Sequence, residues 1–515
     1  MKKFICILLI LLTLCSCKTN SIDTIDDNYR VMYQIFVGSF SDSNSDGIGD
    51  LRGIINRLDY LNDGNINSKT SLGVQGLWLS PIFKSPSYHK YDTSDYYTIA
   101  PEFGTMDDLK ELVTKCHDIN VIVILDLVLN HTSTNNKWFV EFEKAHQNKD
   151  IDNYYYDFYS YKKVSDGING KVWNKIKNTD EMYECNFSGD MPELNFDNEN
   201  VRKELLEIAK YYLDIGIDGF RFDAAKYMYF NETNPNIEFW NWFINELKQI
   251  KSDVYTVGEV WSSDNETINY IQELNCFDFS MSGAEGIIAT AVKSSDVNTY
   301  ANYVVSYQNK IHEKNKDAMM ISFISNHDMD RSAGFLMMMN KYPYMAANLL
   351  LLAPGSPFIY YGEEIAMKGS RGGANTDANR RLAMLWGDTD TVKNPEGSTF
   401  DNSKQINGTV VEQNDNDDSI LNYYRKLIKF RNRYPEIARG EYEVFPSTNK
   451  SIGGFIITYK DSKTLLIHNT SKTDDLVIDL SDYQFKKISE YIGLNSAVLE
   501  NEKLNVGPMT SVVVK

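Results

Sequence analysis

Short apolar runs recur along the chain, separated by stretches whose apolar residues follow a helical spacing. Val31–Phe36, Gly76–Leu79, Val121–Leu125, Gly219–Phe222, Val254–Val257, Phe277–Phe279, Ile321–Ile324 and Phe358–Tyr361 make eight such runs. They are mostly apolar throughout rather than alternating, as strands buried on both faces of a parallel sheet are. Between them lie helix-like segments such as Met106–Ile119, Asn200–Ile215 and Ile237–Ile250. This repeated strand-then-helix order predicts an α/β fold, a (β/α)8 TIM barrel.

Two stretches break the alternation. Residues 131–198 are rich in Tyr, Asn and Lys, show little helical period and are too long for a loop. They predict a small domain inserted after the third strand. After about Pro446 the pattern turns to strands at Gly454–Lys460, Lys463–Asn469, Asp475–Leu480 and Thr510–Val514, which predicts a C-terminal antiparallel β-sandwich. The expected layout is a signal segment over 1–17, a polar tether over 18–28, a barrel over 29–130 and 199–440, the insert over 131–198 and the β domain over 441–515.

The first residues read as targeting rather than fold. Met1-Lys2-Lys3 is basic, and Phe4–Leu14 is apolar but too short to span a bilayer. Leu14-Cys15-Ser16-Cys17 then resembles a bacterial lipoprotein signal, with Cys17 as the residue to be lipidated. The expectation is an exported lipoprotein whose only membrane contact is that anchor. Cys116, Cys185 and Cys276 would remain, an odd number without repeated spacing, so neither a disulfide framework nor a zinc site is expected.

With 515 residues, 42% of them hydrophobic, the chain can bury a large core in two or three domains. Its formal net charge of −19 argues against nucleic acid or an anionic membrane surface as partner, and is compatible with a neutral polysaccharide. The 33 Tyr and 7 Trp supply aromatic faces that can pack on sugar rings.

Three apolar runs end in a carboxylate: Gly219-Phe220-Arg221-Phe222-Asp223, Val257-Gly258-Glu259-Val260-Trp261 and Ile324-Ser325-Asn326-His327-Asp328. Two carboxylates across a scissile bond are the minimum for glycosidic cleavage. The strand ends that carry them are where active sites of such barrels sit. Arg221 lies two positions before Asp223, hence on the same face of a strand. The loop Asp42-Ser43-Asn44-Ser45-Asp46-Gly47-Ile48-Gly49-Asp50 spaces oxygen ligands at alternate positions, which suits Ca2+. Its side-chain ligands would be Asp42, Asn44, Asp46 and Asp50, joined by the carbonyl of Ile48.

Four ordered motifs resemble the α-amylase family, glycoside hydrolase family 13: Asp126-Leu127-Val128-Leu129-Asn130-His131, Gly219 to Lys226, Gly258-Glu259-Val260-Trp261 and Ser325-Asn326-His327-Asp328. Supporting matches are Gly76 to Pro81, Met191-Pro192-Glu193-Leu194-Asn195 and Gly355 to Glu364. The resemblance implies Asp223 as nucleophile, Glu259 as general acid and base, and Asp328 as a third carboxylate that binds sugar hydroxyls. It implies His131, His327, Arg221 and Lys226 as substrate-site residues and Tyr91 as the aromatic platform under the reacting ring. Many relatives carry Gly where this chain has Lys90. In many members a calcium loop follows the first strand, as the Asp42–Asp50 loop does here. A second calcium in α-amylases uses the Asn matching Asn130, but Tyr227 stands where those enzymes carry His.

Ala224 and Lys226 resemble α-1,4-specific members, and Met191–Asn195 lies between amylase-like and neopullulanase-like forms. The expectation is a retaining, endo-acting hydrolase of starch and maltooligosaccharides. The alternatives are a neopullulanase-like, α-glucosidase or transglycosylating relative and, from a different class, a non-catalytic starch-binding lipoprotein.

Overall fold

The computed structural model describes residues 27–168 and 170–515. Cys17 and residues 18–26 of the expected tether lie outside the described residues.

Six parallel strands form the central sheet: β1 (Met32–Ile35), β2 (Gly76–Leu79), β3 (Ile122–Leu127), β4 (Gly219–Phe222), β5 (Tyr255–Gly258) and β6 (Phe358–Tyr360). Their order is β5-β4-β3-β2-β1-β6. The two remaining expected strands, Phe277–Phe279 and Ile321–Ile324, do not form ladders. They close the ring through single parallel bridges, Gly258 to Cys276, Phe277 to Ile321 and Phe323 to Phe358. The reason is local. The Asp278 carboxylate accepts from Ser280 N at 3.1 Å and starts a 3-10 turn, and Asn326 Oδ1 accepts from Asp328 N at 2.9 Å and bends the chain just past Ile324. The barrel interior is filled by Met32, Trp78, Ile124, Tyr255, Phe277, Phe323 and Phe358. Strand β4 can lie close to β5 because residue 219 is glycine: a Cβ there would sit 1.8 Å from the Tyr255 carbonyl oxygen.

The outer helices follow the sequence pattern. Met106–Asp118 buries Leu109, Leu112, Val113 and Cys116, and begins with a capping box between Thr105 and Asp108. Glu199–Ile215 is capped by Asn198 and ends on Gly216 at φ 111°. Thr233–Ile250 starts four residues earlier than the apolar pattern alone suggests, because its first turn is polar.

After β3 the insert contains a helix, Lys137–Asn148, that the expected lack of helical period missed. Its buried face, Trp138, Phe139, Phe142, Ala145 and His146, is aromatic and interrupted by Lys and Glu. A three-stranded antiparallel sheet follows, Tyr161–Lys163 and Trp173–Lys175 flanking Glu181–Glu184. The Met191–Asn195 segment then returns, pairing Glu193 with His131 and donating Leu194 N to Asn130 O at 3.0 Å.

The C-terminal region is two antiparallel sheets. Glu441–Phe445, Ile452–Tyr459, Ser462–Asn469, Thr510–Val514 and Ile488–Gly493 form one in that order, and Leu476–Asp479, Lys503–Val506 and Ala497–Glu500 the other. Ile467, Val512 and Val514 from the first sheet share one apolar cluster with Ile478, Leu504 and Val506 from the second, as in a sandwich.

Candidate active site

The site is built around Arg221. In β4, Phe222 packs outward on Trp240 with ring centroids 4.7 Å apart, so Arg221 points into the barrel mouth, where it is fully buried. Its guanidinium donates from Nη1 to Asp126 Oδ1 at 2.8 Å and to Asp223 Oδ1 at 2.7 Å, and Nη2 lies 3.0 Å from Glu259 Oε1. One cation is thus shared by three carboxylates, one each from the ends of β3, β4 and β5. The Trp78 and Tyr91 rings lie 5.2 and 5.9 Å from the guanidinium carbon.

Three negative charges on one guanidinium, two of them buried and Glu259 partly so, favour keeping a proton in the cluster. Burial raises the Asp223 carboxyl above its usual range, with Arg221 opposing. Burial also raises Glu259; Arg221 again opposes, and Asp223 and Asp328 add to the rise. Asp126 is pushed up to about 7, by burial first and by Asp223. Residue 224 takes the left-handed conformation, φ 49°, and its amide donates to Glu259 Oε2 at 3.2 Å.

Asp328 has different partners. Its Oδ2 lies 3.0 Å from His327 Nε2, and its Oδ1 accepts from Arg381 Nη2 at 2.7 Å. Burial alone would raise its pKa; His327 and Arg381 outweigh that and hold the carboxyl below the usual range. Gln34 Nε2 lies 2.7 Å from His327 Nδ1, so with the amide donating, the ring proton is on Nε2 and faces Asp328. Burial lowers the His327 pKa, which favours the neutral ring. Tyr91 stacks on His327, centroids 5.4 Å apart at 6°, and its hydroxyl reaches His327 Nε2 at 2.5 Å and Asp126 Oδ2 at 3.0 Å.

His131 is buried, with Nδ1 3.1 Å from Asn130 Oδ1 and Nε2 without a hydrogen-bond partner. Burial pushes it down to about 4, so the ring is neutral at physiological pH. Its orphaned Nε2 is a polar atom that a sugar hydroxyl would satisfy. Asn130 Nδ2 donates to the Tyr227 carbonyl at 2.6 Å. Lys226 touches none of the carboxylates; Nζ donates to the Trp261 carbonyl at 2.9 Å and ties the loops after β4 and β5 together. Beside Asp328 a cleft of about 470 Å3 opens, lined by Trp261, Met329, Phe335 and Arg380 among others.

Lys90 has φ 66°, the left-handed conformation that glycine adopts without cost. Its side chain is buried against Glu102 and lies 5.6 Å from the Phe103 ring centroid, pinning the loop that carries Tyr91.

Of the expected site residues, Asp223, Glu259, Asp328, Tyr91, Arg221 and His327 meet in one network. Sequence reasoning assigned no role to Asp126, Gln34 or Arg381. Asp126 opens a recognised motif and was legible. Gln34 and Arg381 lie on a strand and a loop with no distinguishing spacing. The Gly355–Glu364 segment is core: Glu364 accepts from Tyr33 and Tyr60 hydroxyls at 2.7 and 2.6 Å.

In the Asp42–Asp50 loop the side-chain oxygens fold the loop itself. Asp42 accepts from the amides of Asn44, Ser45 and Gly47 and from the Thr391 hydroxyl; Asn44 accepts from Asp46 N, and Asp46 from Ile48 N. Asp50 accepts from Ser43 and Gly53. Among the described residues no group of three or more His, Cys, Asp or Glu is arranged around a metal position. The loop offers hard oxygen donors, and a cation would take its place on Asp42 in exchange for a protein donor.

Residues 34–440 match the family model described as the alpha-amylase catalytic domain. The chain is 35% identical to alpha-amylase 3 of Dictyoglomus thermophilum over 490 residues, covering 94% of this chain and 93% of that protein. It is 30% identical to an oligo-1,6-glucosidase of Bacillus cereus, covering 94% and 98%. Among solved structures it resembles Amy13B of Eubacterium rectale with a TM-score of 0.87 and 33% identity, covering 95% of this chain and 96% of that one. A barrel whose strand ends bring three carboxylates to one arginine, and these matches across nearly its whole length, place the chain in the alpha-amylase family of glycoside hydrolases.

Proposed function

We propose that the protein is a retaining, endo-acting hydrolase of α-1,4-glucosidic bonds in starch and maltooligosaccharides. The observation that supports this reading most is the sharing of Arg221 by Asp223 and Glu259. Two carboxyl groups on the two Nη atoms of one guanidinium are close neighbours. That suits the roughly 5–5.5 Å separation of a retaining pair rather than the wider gap that seats an attacking water in inverting enzymes.

In the first step Glu259 gives its proton to the glycosidic oxygen as Asp223 attacks the anomeric carbon. The carbon–oxygen bond to the leaving glucan breaks and a glycosyl ester forms on Asp223. In the second step Glu259 takes a proton from water, the water oxygen attacks the same carbon, and the Asp223 carboxylate leaves. Two inversions return the α configuration. Asp328, held ionised by Arg381 and His327, offers acceptors to sugar hydroxyls, and His131 Nε2 a further partner.

Following anomeric protons by NMR in the first minutes of maltooligosaccharide hydrolysis is expected to show the α-anomer first, with β growing in by mutarotation. An initial β-anomer would overturn the assignment of Asp223. Internal cleavage of starch with little action on pullulan supports α-1,4 specificity; equal or faster pullulan cleavage would replace it with the neopullulanase-like reading.

The alternating oxygens of the Asp42–Asp50 loop support Ca2+ as ligand, held by Asp42, Asn44, Asp46, Asp50 and the Ile48 carbonyl. A cation bound only by the folded chain stabilises it by mass action. Chelation with EDTA is expected to lower Tm, and Asp46→Ala to abolish that sensitivity. Identical melting curves with and without EDTA, in protein shown by metal analysis to have lost its calcium, would refute the site.

A further inference from the structure

Lys90 combines two costs at one position. Its φ of 66° lies in the left-handed region, where a residue with a Cβ is strained and glycine is not. Its ammonium is also taken out of water. The side chain is 4% exposed, and Glu102 is the one carboxylate within ion-pair distance of it among the described residues. The Ser85 carbonyl accepts from the same Nζ at 3.4 Å, and the Phe103 ring lies 5.6 Å away. A buried ion pair contributes little net stability, because desolvation offsets the attraction. A strained backbone joined to a buried charge is therefore poorly explained as a stabilising device, and such outliers concentrate where geometry serves function.

The bonds within the loop set its shape. The Ser85 and Ser87 hydroxyls donate to Asp92 Oδ1, Lys90 N to Ser87 Oγ at 3.2 Å, and Tyr91 N to His89 Nδ1 at 3.2 Å. All of these run between residues 85 and 92, so they do not fix where the loop sits. The Lys90–Glu102 pair does, by tying the loop to the 3-10 turn Pro101–Phe103. Two hydroxyls from this loop reach the site. Tyr88 accepts from Arg381 Nη1 at 3.1 Å, and the Tyr91 hydroxyl bridges Asp126 Oδ2 and His327 Nε2 at 3.0 and 2.5 Å. Arg381 and His327 hold Asp328, and Asp126 shares Arg221 with Asp223. The placement of one loop thus bears on both groups of carboxylates.

We propose that Lys90 is a positioning residue: through its ion pair with Glu102 it fixes the Tyr88–Tyr91 loop against the catalytic carboxylates and so sets kcat without touching substrate. The proposal rests on the reading of the protein as a retaining α-glucan hydrolase. A loop displaced by about an ångström would misplace Tyr91 and loosen Arg381 on Asp328, and an error of that size costs about 10^2-fold in rate. Sugar units bound away from the reacting ring would keep their contacts, so KM should change less than kcat.

The test uses both ends of the pair. Lys90→Met removes the charge and keeps an apolar stem; Glu102→Ala leaves the ammonium without its partner; the double variant removes both. kcat and KM on soluble starch and maltotriose are measured for each at a temperature where its melting curve shows it fully folded. In Lys90→Met, kcat is expected to fall about 10–100-fold with KM within about threefold of wild type. Tm should stay within a few degrees, since an apolar replacement of a buried ion pair is often neutral. The double variant should be no worse than the worse single variant, because both changes break the same contact. A kcat for Lys90→Met within about twofold of wild type would overturn the proposal. So would a raised KM with unchanged kcat, or losses that multiply in the double variant. A wild-type enzyme inactive on starch and maltotriose would defeat the functional reading itself. An active wild type beside a fully active Lys90→Met protein would defeat only the positioning role.

Discussion

Replacing Asp223 by Asn is expected to lower kcat on starch by about 10^4-fold or more, the scale on which enzymes lose rate when a covalent nucleophile is removed. The neutral amide cannot form the glycosyl ester. The fold should survive, because Arg221 keeps Asp126 and Glu259 as partners and no buried cation is left uncompensated. Tm within a few degrees of wild type, measured beside kcat, separates loss of chemistry from loss of structure. A variant retaining more than about a tenth of the wild-type turnover would remove Asp223 from the nucleophile's role.

Glu259→Gln is expected to reduce kcat/KM on starch by about 10^2–10^4-fold, the usual contribution of a positioned general acid. Its pH dependence gives a sharper test. Burial, with Asp223 and Asp328 adding and Arg221 opposing, raises the Glu259 pKa, so the proton needed by the leaving oxygen is retained further toward neutrality. As pH rises through that raised value the wild-type rate should fall, and in the Gln variant this alkaline limb should vanish. Stability should move the other way. A folded-state pKa above the unfolded value of about 4.3 means that the favourable contribution is complete below that pH and is lost as pH rises through the folded value. At neutral pH the ionised, partly buried Glu259 therefore costs stability, and Glu259→Gln should melt at or above the wild-type temperature, with the difference closing in acid. A variant less stable than wild type at pH 7, and equal to it at pH 4, would reverse the sign of this linkage. Such an exchange of stability for activity is common at catalytic sites.

Both predictions draw on the same local arrangement, and much of it was legible in the sequence. An apolar strand buried on both faces leaves an uninterrupted run, and a carboxylate directly after it lies at the strand's C-terminal end. That is why Asp223 and Glu259 could be placed, and why Arg221, two residues before Asp223, could be assigned to the same face. Period and strand ends are properties of a few neighbouring residues. For the same reason the helix Lys137–Asn148 was missed: its buried face is carried by aromatics and a histidine mixed with charged residues, a weak periodic signal in a short helix.

Tertiary structure decided what depends on residues far apart in the chain. The sequence does not show that the last two expected strands close the barrel by single bridges, since Asp278 and Asn326 bend the chain with their own side chains. It does not reveal that Arg381, 53 residues beyond Asp328, joins His327 in holding that carboxylate ionised, or that Gln34 from the first strand sets the proton on His327. The sequence by itself determined the order of strands, the family and the carboxylates at the strand ends, because these follow from periodicity and short motifs. Only the folded chain determined which charges share a partner and which grooves remain open beside them, because electrostatic coupling and surface shape are set by distances in space rather than by spacing along the chain.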